Sequence, residues 1–279
     1  MTNPHSITNP ANNSATDTDE PLVIREDSKD SSGVVTLTLN RPKQFNALSV
    51  DMLAAMQTEL DNIAQDSTIR VLVIAANGKA FCAGHNLKEM RANSDEAFHS
   101  ALFQQCSKMM LTLNQMPQVV IAKVQGIATA AGCQLVAACD LAVASDEAKF
   151  ATSGINVGLF CSTPAVAVSR NLSRKQAFEM LITGEFIDAH TALQQGLINR
   201  VASADQLEAT LQSLIDAITA KSSVAVKTGK DMFYKQLDMD LADAYEYAGQ
   251  VMTCNMMAED VTEGIDAFIE KRHAVWKGR

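Results

Sequence analysis

The segment at residues 126–144, GIATAAGCQLVAACDLAVA, narrows the choice of folds more than any other part of the chain. Asp140 is its only charge, yet the segment is too short and too punctuated to cross a membrane, which takes about 20 apolar residues in a row. Gly126, Ala128, Ala130, Ala131 and Gly132 leave the main chain nearly bare, so the backbone must pass very close to something. The segment follows the apolar run VVIAKV, which reads as a strand, and opens onto GCQLVAACD, which reads as a short helix. A buried strand, a small-residue turn and a buried helix in succession call for a layered α/β interior.

The rest of the chain supplies further layers. GVVTLTLN (33–40) alternates and is β-branched, a strand closed by the turn signal NRPK. LSVDMLAAMQTELDNIAQD carries Ser49 as a helix N-cap, with apolar residues at helical spacing through Ile63. IRVLVIAAN is a buried strand, and NSDEAFHSALFQQCSKMMLTLNQM is a helix stopped by Pro117. LAVASD is a strand, SRKQAFEMLITG a helix ended at Gly184, DAHTALQQG another helix and LINRV a strand. From about Ala204 the pattern is helical to the end, and no internal repeat of fixed period is visible. The expected organisation is a disordered polar tail at 1–21, an α/β core at 22–203 and a helical region at 204–279.

Charge and cysteine usage exclude several functions. A net charge of −9 argues against a nucleic-acid surface, which needs clustered positive charge. An anionic ligand would need a local basic patch. The 6 cysteines form no C-x-x-C pair and sit mostly in apolar surroundings, so they read as reduced thiols rather than a disulfide framework. The 5 histidines are scattered and make no H-E-x-x-H, so no metal site is expected. No G-x-G-x-x-G follows a strand and no P-loop is present, which leaves nicotinamide and nucleotide-hydrolysing enzymes unsupported. The first twenty residues lack the apolar core of a signal peptide and contain no arginine, so the expected location is cytoplasmic, with no membrane partner.

Chemistry concentrates in KAFCAGHNLKEM (79–90) and in the small-residue turn GIATAAG. Each offers free backbone N–H groups at a turn, and the second opens a helix with its partial positive charge. Two converging N–H donors without bulky neighbours make an oxyanion hole.

LNRPKQFNALS, FCAGHNLKEM, GIATAAGCQLVAACDLAVASDEAKFATSGINVGL and LITGEFIDAHTALQQGLINRV occur in that order. Together they resemble the crotonase (enoyl-CoA hydratase/isomerase) superfamily from about residue 22 to the C-terminus. Within it their wording is most like the subgroup called enoyl-CoA hydratase domain-containing protein 3. The resemblance implies an α/β spiral of ββα units with a C-terminal helical trimerisation region, and a homotrimer or dimer of trimers. It implies an acyl-CoA thioester as substrate, with coenzyme A as part of the substrate and no further cofactor. The thioester oxygen would lie between the backbone N–H groups of His85 and Ala131. The acyl-CoA would be lined or held by Lys43, Phe45, Ala47, Ala83, Gly84, Asn86, Leu87, Lys88, Cys161, Ser162 and Lys271. Family hydratases carry one glutamate where this chain has Gln134 and a second where it has Gly154. Residues 150–169 hold no charged side chain at all. The carboxylates that would activate and protonate a water are therefore missing, and an amide takes no proton at neutral pH.

Other residues weigh less. The His85 ring is expected to pack beside its loop while its N–H serves the oxyanion, though imidazole would suit a general base. Asp140 is expected to hydrogen-bond locally. Cys161 and Ser162 read as pocket lining, since no base for a nucleophile stands nearby in sequence. The Met cluster in VMTCNMMAED reads as core or subunit interface. Two functions stay open: an enzyme of the hydratase/isomerase class, with weak ordinary hydration, and a non-catalytic acyl-CoA-binding or assembly protein.

Overall fold

The computed structural model describes residues 20–29 and 32–279. The expected disordered tail lies outside the described residues except at its end, where the Arg41 side chain donates hydrogen bonds to the Glu20 and Pro21 carbonyls.

The chain begins with an antiparallel pair, β1 (Val23–Asp27) and β2 (Val34–Leu39). Next come α1 (Val50–Gln65), β3 (Val71–Ala76) and β4 (Ala80–Cys82). Helices α2 (Leu87–Ala92) and α3 (Glu96–Gln115) lead to β5 (Val119–Val124), β6 (Ile127–Thr129) and α4 (Ala131–Ala138). The pattern repeats with β7 (Leu141–Ser145), β8 (Lys149–Ala151), α5 (Ser162–Val168) and α6 (Arg174–Thr183). A last partial turn holds β9 (Ile187–Asp188), α7 (Ala189–Gln195) and β10 (Arg200–Ala202). Four helices close the chain: α8 (Leu207–Thr219), α9 (Ser223–Gln236), α10 (Leu241–Met256) and α11 (Glu259–Glu270).

The strands form a six-stranded sheet, β1-β2-β3-β5-β7-β10, and a four-stranded sheet, β4-β6-β8-β9. Three windings, those of β3-β4, β5-β6 and β7-β8, each lay one strand in the large sheet, the next in the small sheet, then helix. That is the expected ββα spiral. Pairing inside both sheets is parallel apart from β1 with β2 and β8 with β9. In β3 Leu72 and Ile74 enter the main core with α1 and α3, while Val71 and Val73 meet Leu207, Leu211 and Ile215 of α8 on the other face. Both faces of this strand are covered, which is why it reads as a continuous apolar run. Helix α1 starts where expected: Ser49 Oγ accepts a hydrogen bond from the Met52 N–H at 3.1 Å.

One expectation changes. Asp140 does not bond only locally: it accepts from the Val120 N–H, from Lys230 Nζ at 2.7 Å and from the Tyr234 hydroxyl at 2.8 Å. Charge burial forced that long-range pairing, because a carboxylate so enclosed needs a cation. Of the two readings of the Met cluster, core or subunit interface, the exposure within one chain removes the first and leaves the second. Met252 is 71 % and Met257 83 % exposed, and α9 and α10 bury no residue completely. Among the described residues no helix is long and apolar enough to cross a membrane.

Candidate active site

The site forms where the small sheet hands its strands to helices. After β4 the chain runs through Ala83 and Gly84 to His85, beside the loop at residues 41–48. Asn46 fixes that loop: its Oδ1 accepts from the Arg41 N–H, and its Nδ2 donates to the Asn77 and Ala80 carbonyls, at 2.8–2.9 Å. Phe45 and Asn46 both have positive φ, which turns the chain back toward β4, and the Ala83 N–H bonds the Phe45 carbonyl. Leu48 then donates to the Gly84 carbonyl and accepts from the Asn86 N–H. In such a parallel bridge Leu48 uses the peptide groups on either side of His85. The His85 N–H consequently points away from Leu48.

The second donor comes from α4. Ala131 is its first residue, so its N–H has no partner inside the helix. Ala130 precedes it at φ 51° and ψ −121°, a conformation that costs a non-glycine residue about 1–3 kcal/mol. Hydrogen bonds hold it there: its N–H donates to the Ala151 carbonyl, and its own carbonyl accepts from the Gln134 N–H. Gly84, at φ 89°, is the contact between the two turns. A Cβ on Gly84 would lie 2.8 Å from Ala130 Cβ and 3.1 Å from the Ala131 nitrogen. A Cβ on Gly132 would strike the Cys82 carbonyl. The bare backbone of this segment therefore lets α4 rest directly on β4.

A cavity of about 190 Å³ opens in front of these donors. Ala83, His85, Ala130 and Ala131 form one wall, and Leu87, Met90 and Phe103 of α2 and α3 form another. Ser153, Gly154, Val157 and residues 159–164 complete it. No lining residue is Asp, Glu, Lys or Arg. The Ser153 hydroxyl is tied to the Thr129 hydroxyl at 2.7 Å. Cys161 is a wall residue, and burial pushes its thiol pKa up. The His85 ring meets the edge of Phe103 at 5.5 Å and 71°, and burial alone pulls its pKa down to about 4. Its Nε2 is sealed from solvent and bonded to nothing.

Other expected residues divide. Ala83, Leu87, Cys161 and Ser162 line the cavity, and Gly84 lies just behind it. Asn86 instead caps α2, accepting from the Lys88 and Glu89 N–H groups. Gln134 lies one turn into α4, 4 % exposed with Oε1 unpartnered, and is not on the cavity wall. Gly154 is on the wall, but a Cβ there would lie 2.7 Å from the Leu159 carbonyl and 2.8 Å from Cys161 Sγ. Phe45 is exposed and Ala47 half-buried in the neighbouring loop. Lys43, Lys88 and Lys271 are exposed and outside the wall, with Lys271 capping α11 at φ 57°. Met90, Phe103 and Ser153 escaped the sequence reading. Met90 and Phe103 look like any apolar helix positions, and Ser153 like any loop serine.

Comparison with known proteins agrees with this architecture. Residues 29–279 match the family model described as enoyl-CoA hydratase/isomerase. A Mus musculus protein named enoyl-CoA hydratase domain-containing protein 3, mitochondrial, is 45 % identical over 249 residues, covering 89 % of this chain and 83 % of that one. The crystal structure of an enoyl-CoA hydratase from Mycobacterium smegmatis superposes with a TM-score of 0.91 at 53 % identity, covering 92 % of this chain and 99 % of the other. That of human enoyl coenzyme A hydratase domain-containing protein 3 gives 0.88 at 43 %, covering 92 % and 100 %.

Proposed function

The chain belongs to the enoyl-CoA hydratase/isomerase family and has the crotonase fold, and from that premise we propose how its cavity works. An acyl-CoA thioester enters with its carbonyl oxygen between the N–H groups of His85 and Ala131. The observation that carries this reading is the Gly84–Ala130 contact, which brings two unused N–H donors together on the wall of a cavity without charge. Donors fixed in a water-poor site stabilise the negative charge that develops on a thioester oxygen, and cost no reorganisation when it appears.

Gln134 and Gly154 stand where the resemblance places carboxylates, and neither transfers a proton. Ordinary hydration is therefore weak in this proposal, since each positioned acid or base contributes about 10²–10⁴-fold. Restoring the second carboxylate by Gly154→Glu would drive its Cβ into the Leu159 carbonyl, so the loop itself excludes the group. Lys43, Lys88 and Lys271, with Phe45 and Ala47, are assigned to the CoA moiety, which is part of the substrate; no further cofactor is needed. The exposed apolar faces of α10 and α11, with Leu241 and Phe268 among them, are assigned to contacts in a homotrimer or dimer of trimers. Multi-angle light scattering at micromolar concentration tests this, and a monomer would count against it. A cytoplasmic location also belongs to the proposal, although the mouse relative is named mitochondrial; fractionating cells that express the full chain decides it.

Crotonyl-CoA tests the site. We expect wild-type protein to bind it and hydrate it slowly. Ala131→Val should weaken binding at least about tenfold, or roughly 1.4 kcal/mol, because the added methyls crowd the donor. Unchanged affinity in a folded variant would sink the assignment. Binding without turnover of any enoyl or acyl thioester would favour the non-catalytic acyl-CoA-binding reading, which the absence of carboxylates from the wall supports.

A further inference from the structure

We infer that the imidazole of His85 is the single proton-transfer base of this cavity. It takes a proton from the α-carbon of a bound acyl thioester and returns it to the α- or γ-carbon. The inference rests on the thioester reading above and names the group that does its chemistry.

The first observation is placement. His85 is a residue of the cavity wall, and its N–H is the one assigned to the thioester oxygen. An oxygen held by that N–H brings the adjacent α-carbon within reach of the same residue's side chain. Phe103 holds the ring edge-on, and His99 stacks on Phe103 at 6.3 Å and 19°. The imidazole is thus oriented by packing.

The second observation is that the ring has no structural hydrogen bond to lose. A buried histidine serving only the fold normally has its nitrogens bonded. Here Nε2 is buried and unpartnered.

The third observation is the lack of competitors. His85 and Cys161 are the titratable residues of the wall, and burial keeps the Cys161 thiol protonated. The Ser153 hydroxyl is engaged with Thr129. The elements packed against His85 bring no ion to it: α2 and α3 contribute Leu87, Met90 and Phe103, with His99 behind Phe103. Burial leaves the ring neutral throughout the physiological range and about as basic as an ordinary carboxylate. It can therefore stand in for a glutamate base.

The step balances within the site. The α C–H bond breaks and its proton moves to the imidazole lone pair. The C–H electron pair forms the C=C of the enolate, and the carbonyl π pair moves onto oxygen between the two N–H donors. Imidazolium and enolate form together as opposite charges in a low-dielectric cavity, where they attract strongly. Return of the proton to the α-carbon gives exchange. In a β,γ-unsaturated thioester, return to the γ-carbon moves the double bond. Both need one base, whereas hydration also needs a water to be activated. A cavity with one base is built for the proton shift.

The test follows solvent deuterium entering the α-position of butyryl-CoA in D2O by proton NMR, beside butyryl-CoA affinity by calorimetry. His85→Ala and His85→Gln both keep the backbone N–H. We expect wild-type exchange, slowed at least about 10²-fold in both variants, with affinity held within about threefold. Added imidazole should restore part of the rate to His85→Ala and none to Ala131→Val. Full exchange in both His85 variants, or wild type that binds butyryl-CoA without exchanging it, overturns the assignment of the ring. Failure of wild type to bind butyryl-CoA overturns the thioester reading itself, and the inference with it.

Discussion

The cavity and the Asp140 junction lie in the same α/β core and treat polar groups in opposite ways. At the junction both charged groups are fully paired. Lys230 Nζ gives its three protons to the Leu113 carbonyl, the Gln118 carbonyl and Asp140, at 2.7–2.9 Å. Asp140 takes the Val120 N–H and the Tyr234 hydroxyl besides. This cluster ties α9 to β5 and the start of β7, and so fixes the helical region to the spiral. On the cavity wall nothing is charged, His85 Nε2 goes unbonded and Ala130 is strained, and Gln134 Oε1, behind the wall in α4, is unbonded too. Saturated polar groups spend their bonding capacity on the fold. Unsaturated ones keep it for a ligand.

Breaking the junction should give the largest effect. Lys230→Met leaves Asp140 buried without its cation, and we expect a loss of about 3–5 kcal/mol in urea unfolding. Adding Asp140→Asn should recover part of it. A loss below about 1 kcal/mol would mean that the junction is no more costly to disturb than the cavity.

An intermediate effect should come from acid. In the folded state the His85 pKa is near 4, against about 6.5 when unfolded. Between those values the unfolded chain binds a proton that the folded chain does not. Stability is therefore highest above pH 6.5 and falls as pH drops toward 4, by something on the order of 3 kcal/mol. His85→Gln should flatten that part of the profile. An unaltered slope in that variant would show that the cavity does not hold its histidine neutral.

The smallest effect should be at Gln134. Replacing a buried amide whose oxygen is unbonded removes a desolvation cost along with the group. Gln134→Leu should shift unfolding by less than about 1 kcal/mol in either direction. A loss as large as that of Lys230→Met would reveal a partner for Gln134 and erase the contrast between the two regions.

How much was legible varies with element length. Strands β2, β3, β5 and β7 span 5–6 residues, enough to show alternation or a buried run, and each was read in place. Strands β4, β6 and β8 span 3 residues each, too few to show a period, so the small sheet passed for turns. Both small-residue turns could be read because glycine and alanine declare a close approach of backbone. The far wall of the cavity could not, because Phe103 lies in an ordinary apolar stripe of α3. Asp140 was seen as the one charge in its segment, but its partner Lys230 lies 90 residues away and nothing local points to it.

The sequence by itself determined the α/β order, the helical C-terminal region, the two small-residue turns and the lack of carboxylates at Gln134 and Gly154. Those follow from local periodicity and from which side chains are present at all. Only the tertiary structure decided that Gly84 touches Ala130, that the Gly154 loop has no room for a side chain, that Gln134 is not a wall residue, and that His85 is one, with a ring nitrogen unbonded. Each depends on atoms brought together by separate windings of the spiral. Contact and burial arise from that packing, and so do the basicity of a histidine and the pairing of a carboxylate.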